Sequence, residues 1–238
     1  RMQDDPSVAP ALQVKLAAAR RIRHFASREL ALPDNGGFRS YAAIDRPYVV
    51  WNVFAAEEFA IRPREWCFPV AGCVSYRGYF SKADADAYAA ALQAEGYEVH
   101  VGGVPAYSTL GWFDDPLLST FIHYPETELA RLIFHELSHQ LLYAPDDSEF
   151  NESFAVAVER EGLRRWLARE AGPTRQAAFQ RAQRMRADFQ RLVLDARNRL
   201  DALYASSLSA EDKRREKSLV FRKLRQDHEA LKAGPWQG

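Results

Sequence analysis

The sequence has 238 residues, of which 47% are hydrophobic and 27% charged, and its 32 basic residues balance its 32 acidic ones. A chain of this length can bury one sizeable core or two small lobes. The formal charge of zero gives no general attraction to nucleic acid or to an anionic membrane, so we expect no nucleic-acid partner. No apolar run approaches the roughly 18 residues that a membrane-spanning helix needs.

The first predicted element is an amphipathic helix over about residues 6–32. Apolar side chains such as Leu12, Leu16 and Ile22 recur there at a spacing of three to four, with arginines on the other side. The turn-forming residues 33–37 end this helix. We interpret it as a helix that covers one side of the core.

Residues 40–109 carry a β-rich pattern that one helix interrupts. Strands are predicted at 48–54, 66–70, 74–76 and 97–101, where β-branched and aromatic residues are dense. Ser81 is predicted to cap a helix that runs to about Glu95, with Gly96 just past its end. Pro105 lies within 101–109, and a proline is tolerated mainly on an edge strand, so this segment is predicted to form the rim of the sheet.

The two cysteines, Cys67 and Cys73, have five residues between them. This spacing differs from the C-x-x-C of redox and zinc sites. Buried free thiols and a small-loop disulfide are both compatible with it, and the spacing alone does not favour either.

A metal-binding motif occupies the helix predicted to begin at Pro125. His135 and His139 are four residues apart, so both rings project from one face and reach the same cation. Glu136 follows the first histidine and is placed to take a proton from water at that cation. Such a motif arises by chance in roughly 1 of 100 chains of this composition. Its position in a strongly apolar helix argues against chance, because burying three ionisable groups is costly without compensation.

Glu152 is the predicted third ligand. A catalytic zinc takes three protein ligands and leaves its fourth position to water. The helix of the motif breaks at 144–148, and a second helix is predicted from about Glu149 to Glu170, capped by Asp147 or Ser148. The twelve residues between His139 and Glu152 suffice for a tight reversal, so Glu152 returns toward the histidines.

Glu159 lies seven residues after Glu152, almost two helical turns, and therefore shares its face. The simpler interpretation is an exposed acid at the boundary of the apolar stripe. The functional interpretation is an acceptor that orients a ligand histidine from behind.

The remaining chain is predicted to be helical. One long helix ends near Ser206 and another starts at Ser209, which together suggest an antiparallel hairpin. Arginine is dense over 160–199, but interleaved acids favour a solvated, ion-paired face over a nucleic-acid or membrane surface.

Several segments resemble one family of zinc peptidases. Residues 133–140 and 150–155 resemble the gluzincins, whose third zinc ligand is a glutamate, and more closely the bacterial putative (predicted) aminopeptidase family within them. The likeness extends over most of residues 20–235, and further matching segments are 48–54, 67–73, 79–80, 104–109 and 117–120.

The resemblance implies an α+β, zincin-like metallopeptidase fold. We expect a mixed β-sheet with a peptide-binding edge strand, a buried H-E-x-x-H helix and a mostly helical C-terminal half. Residues 1–238 are expected to form one catalytic unit, with 1–145 as the N-terminal helix, α/β lobe and metal helix and 146–238 as the helical lobe.

The resemblance also implies one zinc ion, a peptide or protein substrate, and export to the bacterial periplasm or cell envelope. Such export favours a disulfide between Cys67 and Cys73. Contact with a membrane is expected only through an N-terminal lipid anchor, which residues 1–238 do not include.

The predicted activity is hydrolysis of peptide bonds by a zinc-dependent aminopeptidase. His135, His139 and Glu152 bind the metal and Glu136 is the general base. Oxyanion stabilisation falls to a tyrosine or histidine, and the candidates are Tyr107, Tyr143, His123 and Tyr204. One alternative is an inactive or metal-stabilised binding module that acts through the helical C-terminal half; another is a purely structural helical protein.

Overall fold

The computed structural model describes residues 9–68, 72–106, 109, 111–145, 147–170 and 173–237. Within this part of the chain the fold is α+β, with six helices and small sheets. The elements in chain order are α1 (Pro10–Glu29), β1 (Tyr41–Ala42), β2 (Val50–Ala56), β3 (Trp66–Phe68), β4 (Gly72–Val74), β5 (Arg77–Tyr79), α2 (Lys82–Ala94), β6 (Glu98–Val104), β7 (Leu117–Leu118), α3 (Glu126–Leu141), α4 (Ser148–Glu170), α5 (Pro173–Ala205) and α6 (Ala210–Ala233). None of the helices described is both long and apolar enough to cross a membrane.

The main sheet is antiparallel, with strand order β5-β2-β6. A parallel pair, β1 with β7, forms a separate two-stranded sheet. The prediction of one mixed sheet is therefore wrong for the described residues, in which the parallel pair β1–β7 forms no ladder with the antiparallel strands β5-β2-β6. Position 103 in β6 requires glycine, since a Cβ atom on Gly103 would lie 2.3 Å from the Tyr48 ring.

β6 lies at the edge of this sheet and pairs only with β2 among the described residues. The predicted rim segment 101–109 thus begins inside β6. Pro105 follows the last residue of β6, where its missing N–H removes no ladder hydrogen bond.

α2 confirms the predicted helix boundaries. The Ser81 hydroxyl accepts a hydrogen bond from the Asp84 amide, as an N-cap does. Gly96 has a φ of +93°, a left-handed conformation that favours glycine just after a helix. The helix buries Ala85, Ala89 and Leu92 against the three-stranded sheet.

α3 lies at the centre of the main hydrophobic core, between α1 and α4. Ile133, Phe134 and Leu137 are completely buried, and Phe134 packs against Phe25 of α1 with ring centroids 6.0 Å apart. Burial fades at the end of this helix, where Leu141 and Leu142 are 52% and 44% exposed. The expectation of a buried helix is therefore wrong for Leu141 and Leu142, whereas Ser138 and His139 just before them are buried.

α5 and α6 form the predicted helical hairpin. The Ser209 hydroxyl caps α6 by accepting a hydrogen bond from the Asp212 amide. Lys217 of α6 attaches the hairpin to the sheet, because its buried ammonium group donates at 2.6 Å to the Glu58 carbonyl and to the Glu98 carboxylate. The arginine-rich surface is largely ion-paired, as predicted, through pairs such as Arg164–Glu161 and Arg199–Asp195.

Candidate metal centre

His135 and His139 face one another on the same side of α3. Their Nε2 atoms are 3.2 Å apart, and the ring centroids are 4.8 Å apart with the rings nearly perpendicular. His139 is buried and His135 is half-buried, so both rings are restrained by the packing of the helix. The helical spacing of four residues produces this geometry directly.

Glu152 reaches both histidines from the first turns of α4. Its Oε2 atom lies 3.3 Å from Nε2 of His135, and its Oε1 atom lies 3.5 Å from Nε2 of His139. We refer to these three side chains, His135, His139 and Glu152, as the metal centre. Their ligand atoms all lie within 4.8 Å of one another.

The reversal between α3 and α4 is held by Asn151. Its buried side-chain amide donates to the Ala144 carbonyl at 2.8 Å and accepts from the Ala144 amide at 2.7 Å. Asp147 adds an N-terminal cap, since its carboxylate accepts from the Phe150 amide at 2.9 Å. This role of Asn151 was not predicted, and its only signal in the sequence is its position next to the predicted ligand.

The donor set and its spacing fit a tetrahedral zinc ion. Two ligand atoms that each lie about 2.0–2.1 Å from a tetrahedral zinc are about 3.3 Å apart. The Nε2 atoms of His135 and His139, 3.2 Å apart, match one edge of such a tetrahedron. The Glu152 carboxylate meets the two rings through different oxygens, Oε2 at 3.3 Å from His135 and Oε1 at 3.5 Å from His139. Two imidazoles and a carboxylate are also a ligand set of catalytic zinc sites, in which the fourth position is left for water.

Glu159 supports the metal centre from behind. Its carboxylate is buried, and Oε2 lies 3.0 Å from Nδ1 of His135. With the proton of His135 on Nδ1, that N–H donates to Glu159 and the Nε2 lone pair points to the other ligands. Because this side chain is buried, the interpretation of Glu159 as an exposed acid is wrong, and its orienting role stays a prediction.

Arg131 in turn forms an ion pair with Glu159. No role was predicted for Arg131 from the sequence. Its guanidinium lies 3.3 Å from the Glu159 carboxylate and 3.0 Å from that of Glu128, which also pairs with Arg186 of α5 at 2.5 Å. Alternating charges therefore connect α5 to the ring of His135. The available signal was that Arg131 lies four residues before His135 in an otherwise apolar helix.

The surroundings shift the protonation of all three ligands. Burial would lower the pKa of His135, but hydrogen bonds to Glu152 and Glu159 outweigh it and raise that pKa to about 9. Burial and the neighbouring charge of His135 lower the pKa of His139. The hydrogen bond to His135 lowers the pKa of Glu152. Because these carboxylates favour a positive charge between them, the site is electrostatically suited to a cation.

The support of the two histidines is unequal. Nδ1 of His139 is buried and has no hydrogen-bond partner among the described residues, whereas Nδ1 of His135 has Glu159. The orientation of His139 therefore rests on packing inside α3 and on the groups in front of it.

The other residues predicted to act in catalysis are the general base, Glu136, and the candidates for oxyanion stabilisation. Glu136 is half-buried beside the metal centre, and its charge contributes to the raised pKa of His135. Tyr143 is 48% exposed after the end of α3, and Tyr107 lies outside the described residues. Tyr204 packs against Phe59, with ring centroids 5.7 Å apart.

Cys67 and Cys73 form a disulfide across the β3–β4 hairpin, where they are directly opposite one another. The spacing had left this pairing open, and only the family resemblance favoured it. The disulfide closes a small loop and takes no part in the metal centre.

Comparison with known proteins gives one match. No curated protein and no solved structure is similar to this chain. A family model described as "Putative aminopeptidase" matches residues 1–238, the whole chain. The chain therefore belongs to the putative aminopeptidase family.

Proposed function

We propose that this protein is a zinc-dependent aminopeptidase of the gluzincin type. The observation that carries the proposal is the convergence of two imidazole nitrogens, 3.2 Å apart, with the Glu152 carboxylate, whose two oxygens lie 3.3 and 3.5 Å from those nitrogens; this donor set suits a tetrahedral ion. Membership of the putative aminopeptidase family supports the reaction class. His135, His139 and Glu152 are the proposed ligands.

Zinc, when bound, supplies a Lewis acid that brings the pKa of water near neutrality and polarises a substrate carbonyl. Glu136 accepts the proton from the attacking water and returns it to the amine nitrogen as the peptide bond breaks. Glu159 keeps Nδ1 of His135 protonated and the ring in position, and Arg131 fixes the Glu159 carboxylate.

We further propose that β6 holds the substrate in an extended conformation. Its outer backbone N–H and C=O groups have no strand partner among the described residues, so they can pair with a peptide by β-augmentation. Such pairing is independent of side chains and orients the scissile bond. Tyr107 and Tyr143 remain the proposed oxyanion-stabilising residues.

The proposed location is the bacterial periplasm or cell envelope, with a lipid anchor. The disulfide between Cys67 and Cys73 supports this location, because disulfides persist in oxidising compartments. Fractionation of cells into cytoplasm, periplasm and membranes, with thiol alkylation and mass measurement of the protein in each fraction, tests it: protein found in the cytoplasm with two alkylated cysteines would contradict the proposal.

The direct experiment is metal analysis of the purified protein and of two glutamate variants. The proposal expects about one zinc per chain. Glu152→Gln removes one ligand and should lower the zinc content to well below that value, whereas the control Glu149→Gln, an exposed acid in the same helical turn, should retain it. Equal zinc in both variants would exclude Glu152 as a ligand.

A binding module that acts through the helical hairpin is the second candidate. The observation that favours it is the apolar surface of the hairpin, where Phe189, Val193 and Leu194 of α5 are 45%, 39% and 54% exposed. This candidate predicts bound zinc but no cleavage of a mixed peptide pool by mass spectrometry. Cleavage that disappears in Glu136→Gln would decide for the peptidase.

A further inference from the structure

A cavity of about 770 Å³ opens between α1 and the segment that follows it, with Leu117 of β7 in its wall. We refer to it as the α1 cavity. Its ionisable lining is basic throughout, and no carboxylate contributes to it among the described residues. The basic lining residues are Arg20, Arg21, Arg23, His24 and Arg39.

The floor of the α1 cavity is apolar. Leu16, Phe38 and Leu117 line it and are only 7%, 2% and 4% exposed, and Tyr41 is half-buried beside them. The arginines other than Arg23 are exposed, so they form the rim. A ligand that enters the cavity meets positive charge first and hydrocarbon beneath it.

Arg23 adds a buried positive charge to the lining of the α1 cavity. It is 1% exposed and donates to the carbonyl oxygens of Gly37 at 2.8 Å and of Pro33 at 2.6 Å. These hydrogen bonds fix the loop, but no carboxylate forms an ion pair with Arg23 among the described residues. Burial and the neighbouring charge of Arg39 lower the pKa of Arg23, and the nearby charge of Asp34 opposes this shift without cancelling it.

The rim arginines are weakly engaged. Arg20 has no ion pair within the described part of the chain. Arg21 pairs with Glu126 at 3.2 Å. Arg39 pairs with Asp34 and donates through Nε to the Asn35 carbonyl at 2.7 Å, and water reaches the side chains in both ion pairs. Exposed pairs of this kind contribute little free energy, so a ligand can replace their carboxylates at small cost.

We propose that the α1 cavity binds an amphipathic anion, a carboxylate or phosphate headgroup attached to a hydrocarbon tail. The planar, fork-like guanidinium groups of Arg20 and Arg39 bind the headgroup through paired hydrogen bonds. The tail lies on Leu16, Phe38 and Leu117 and is removed from water.

The size and shape of the α1 cavity separate this ligand from other anions. Cavities of about 300–1,000 Å³ enclose single small molecules, whereas nucleic acid binds to open, extended basic surfaces. The apolar floor distinguishes the ligand from a free inorganic anion, which gains nothing from hydrocarbon contacts.

The test is calorimetric titration of the purified chain with four probes below their micelle concentrations: decanoate, decyl phosphate, decanol and inorganic phosphate. We expect at least one of the two amphipathic anions to bind at least about tenfold more tightly than decanol and inorganic phosphate. Comparison of decanoate with decyl phosphate identifies the headgroup. Competition of decanoate with phosphatidylglycerol vesicles then distinguishes a membrane lipid from a free amphiphile.

Variants of the lining arginines test whether the amphipathic anion binds in the α1 cavity. Arg20→Gln combined with Arg39→Gln should weaken it at least about tenfold. The control Arg28→Gln, an exposed arginine of α1 outside the cavity lining, should leave it unchanged. Thermal unfolding of each variant verifies that the fold is intact. Tight binding of decanol, tight binding of phosphate alone, no binding of either amphipathic anion, or undiminished binding by the double variant would each overturn the proposal.

Discussion

The metal centre and the α1 cavity are two polar sites of opposite sign on one chain of zero formal charge. In the metal centre, the carboxylates of Glu152 and Glu159 contact His135 and favour positive charge. In the α1 cavity, arginines face each other without a carboxylate in the lining described by the structure. Acidic and basic residues are equal in number along the sequence, but folding separates them into two sites. The sign of the local charge then determines which ligand each site can bind.

The largest expected effect is a loss of peptide hydrolysis at the metal centre. Glu136→Gln keeps the size of the side chain but removes its basicity, so peptide hydrolysis should fall by about 10²–10⁴-fold. Zinc content should remain near one per chain, because Glu136 is not a ligand. Rates on a cleavable peptide, with metal analysis of the same samples, measure both. Full activity in this variant would remove Glu136 from the mechanism.

The next effect concerns the support of His135. Glu159→Gln weakens the acceptor for Nδ1, and Arg131→Ala leaves the buried Glu159 carboxylate without its arginine. Each should weaken zinc binding by about 10–100-fold. Chelator competition measures the affinity independently of activity. Arg131→Lys should recover part of it, and Arg164→Ala, on the exposed face of α4, serves as the control that should change nothing.

The pH dependence follows from the raised pKa of His135, about 9. Zinc must displace the proton from Nε2, so its apparent affinity should fall about tenfold for each pH unit below 9. In the metal-free protein the stability changes with pH in the opposite direction. The raised pKa of His135 stabilises the fold below pH 6.5, and this contribution is lost as the pH rises through 9. Melting curves of metal-free and zinc-loaded protein from pH 6.5 to 9.5 test both trends, and a metal-free fold that gains stability over this range would contradict them.

The smallest expected effect is on the affinity of the α1 cavity for its ligand. Glu126→Gln releases Arg21 from its exposed ion pair and should raise the affinity of the α1 cavity for the amphipathic anion by no more than about fivefold, as expected for a surface pair. Calorimetric titration with the tighter-binding amphiphile measures it. A decrease in affinity would mean that the pair with Glu126 holds Arg21 in the binding position.

Much of the local structure could be predicted from residues close together in sequence. The caps Ser81 and Ser209 begin the helices that they were predicted to begin. His135 and His139 share a face because of the helical repeat alone. These features depend on backbone hydrogen bonds and steric preferences within about four residues, which the sequence states directly.

Other features could not be predicted because they depend on packing between distant segments. Leu141 was expected to be buried with the rest of α3, but it is 52% exposed, because no described element packs on that side of the last turn. The polar contacts between helices were equally unpredictable: the exposure of Glu159 was undecided from the sequence, and no role was predicted for Arg131. Only the packing of α3 against α4 brings Arg131, Glu159 and His135 into contact.

The sequence by itself therefore determined the helices, their caps, the metal-binding motif and the glutamate expected to complete it. The tertiary structure decided which charges meet: carboxylates from α4 at His135, and arginines from α1 and residue 39 around one cavity. The physical reason is range, because local patterns act through neighbouring residues, whereas the sign of a site is the sum of charges that folding collects from remote parts of the chain.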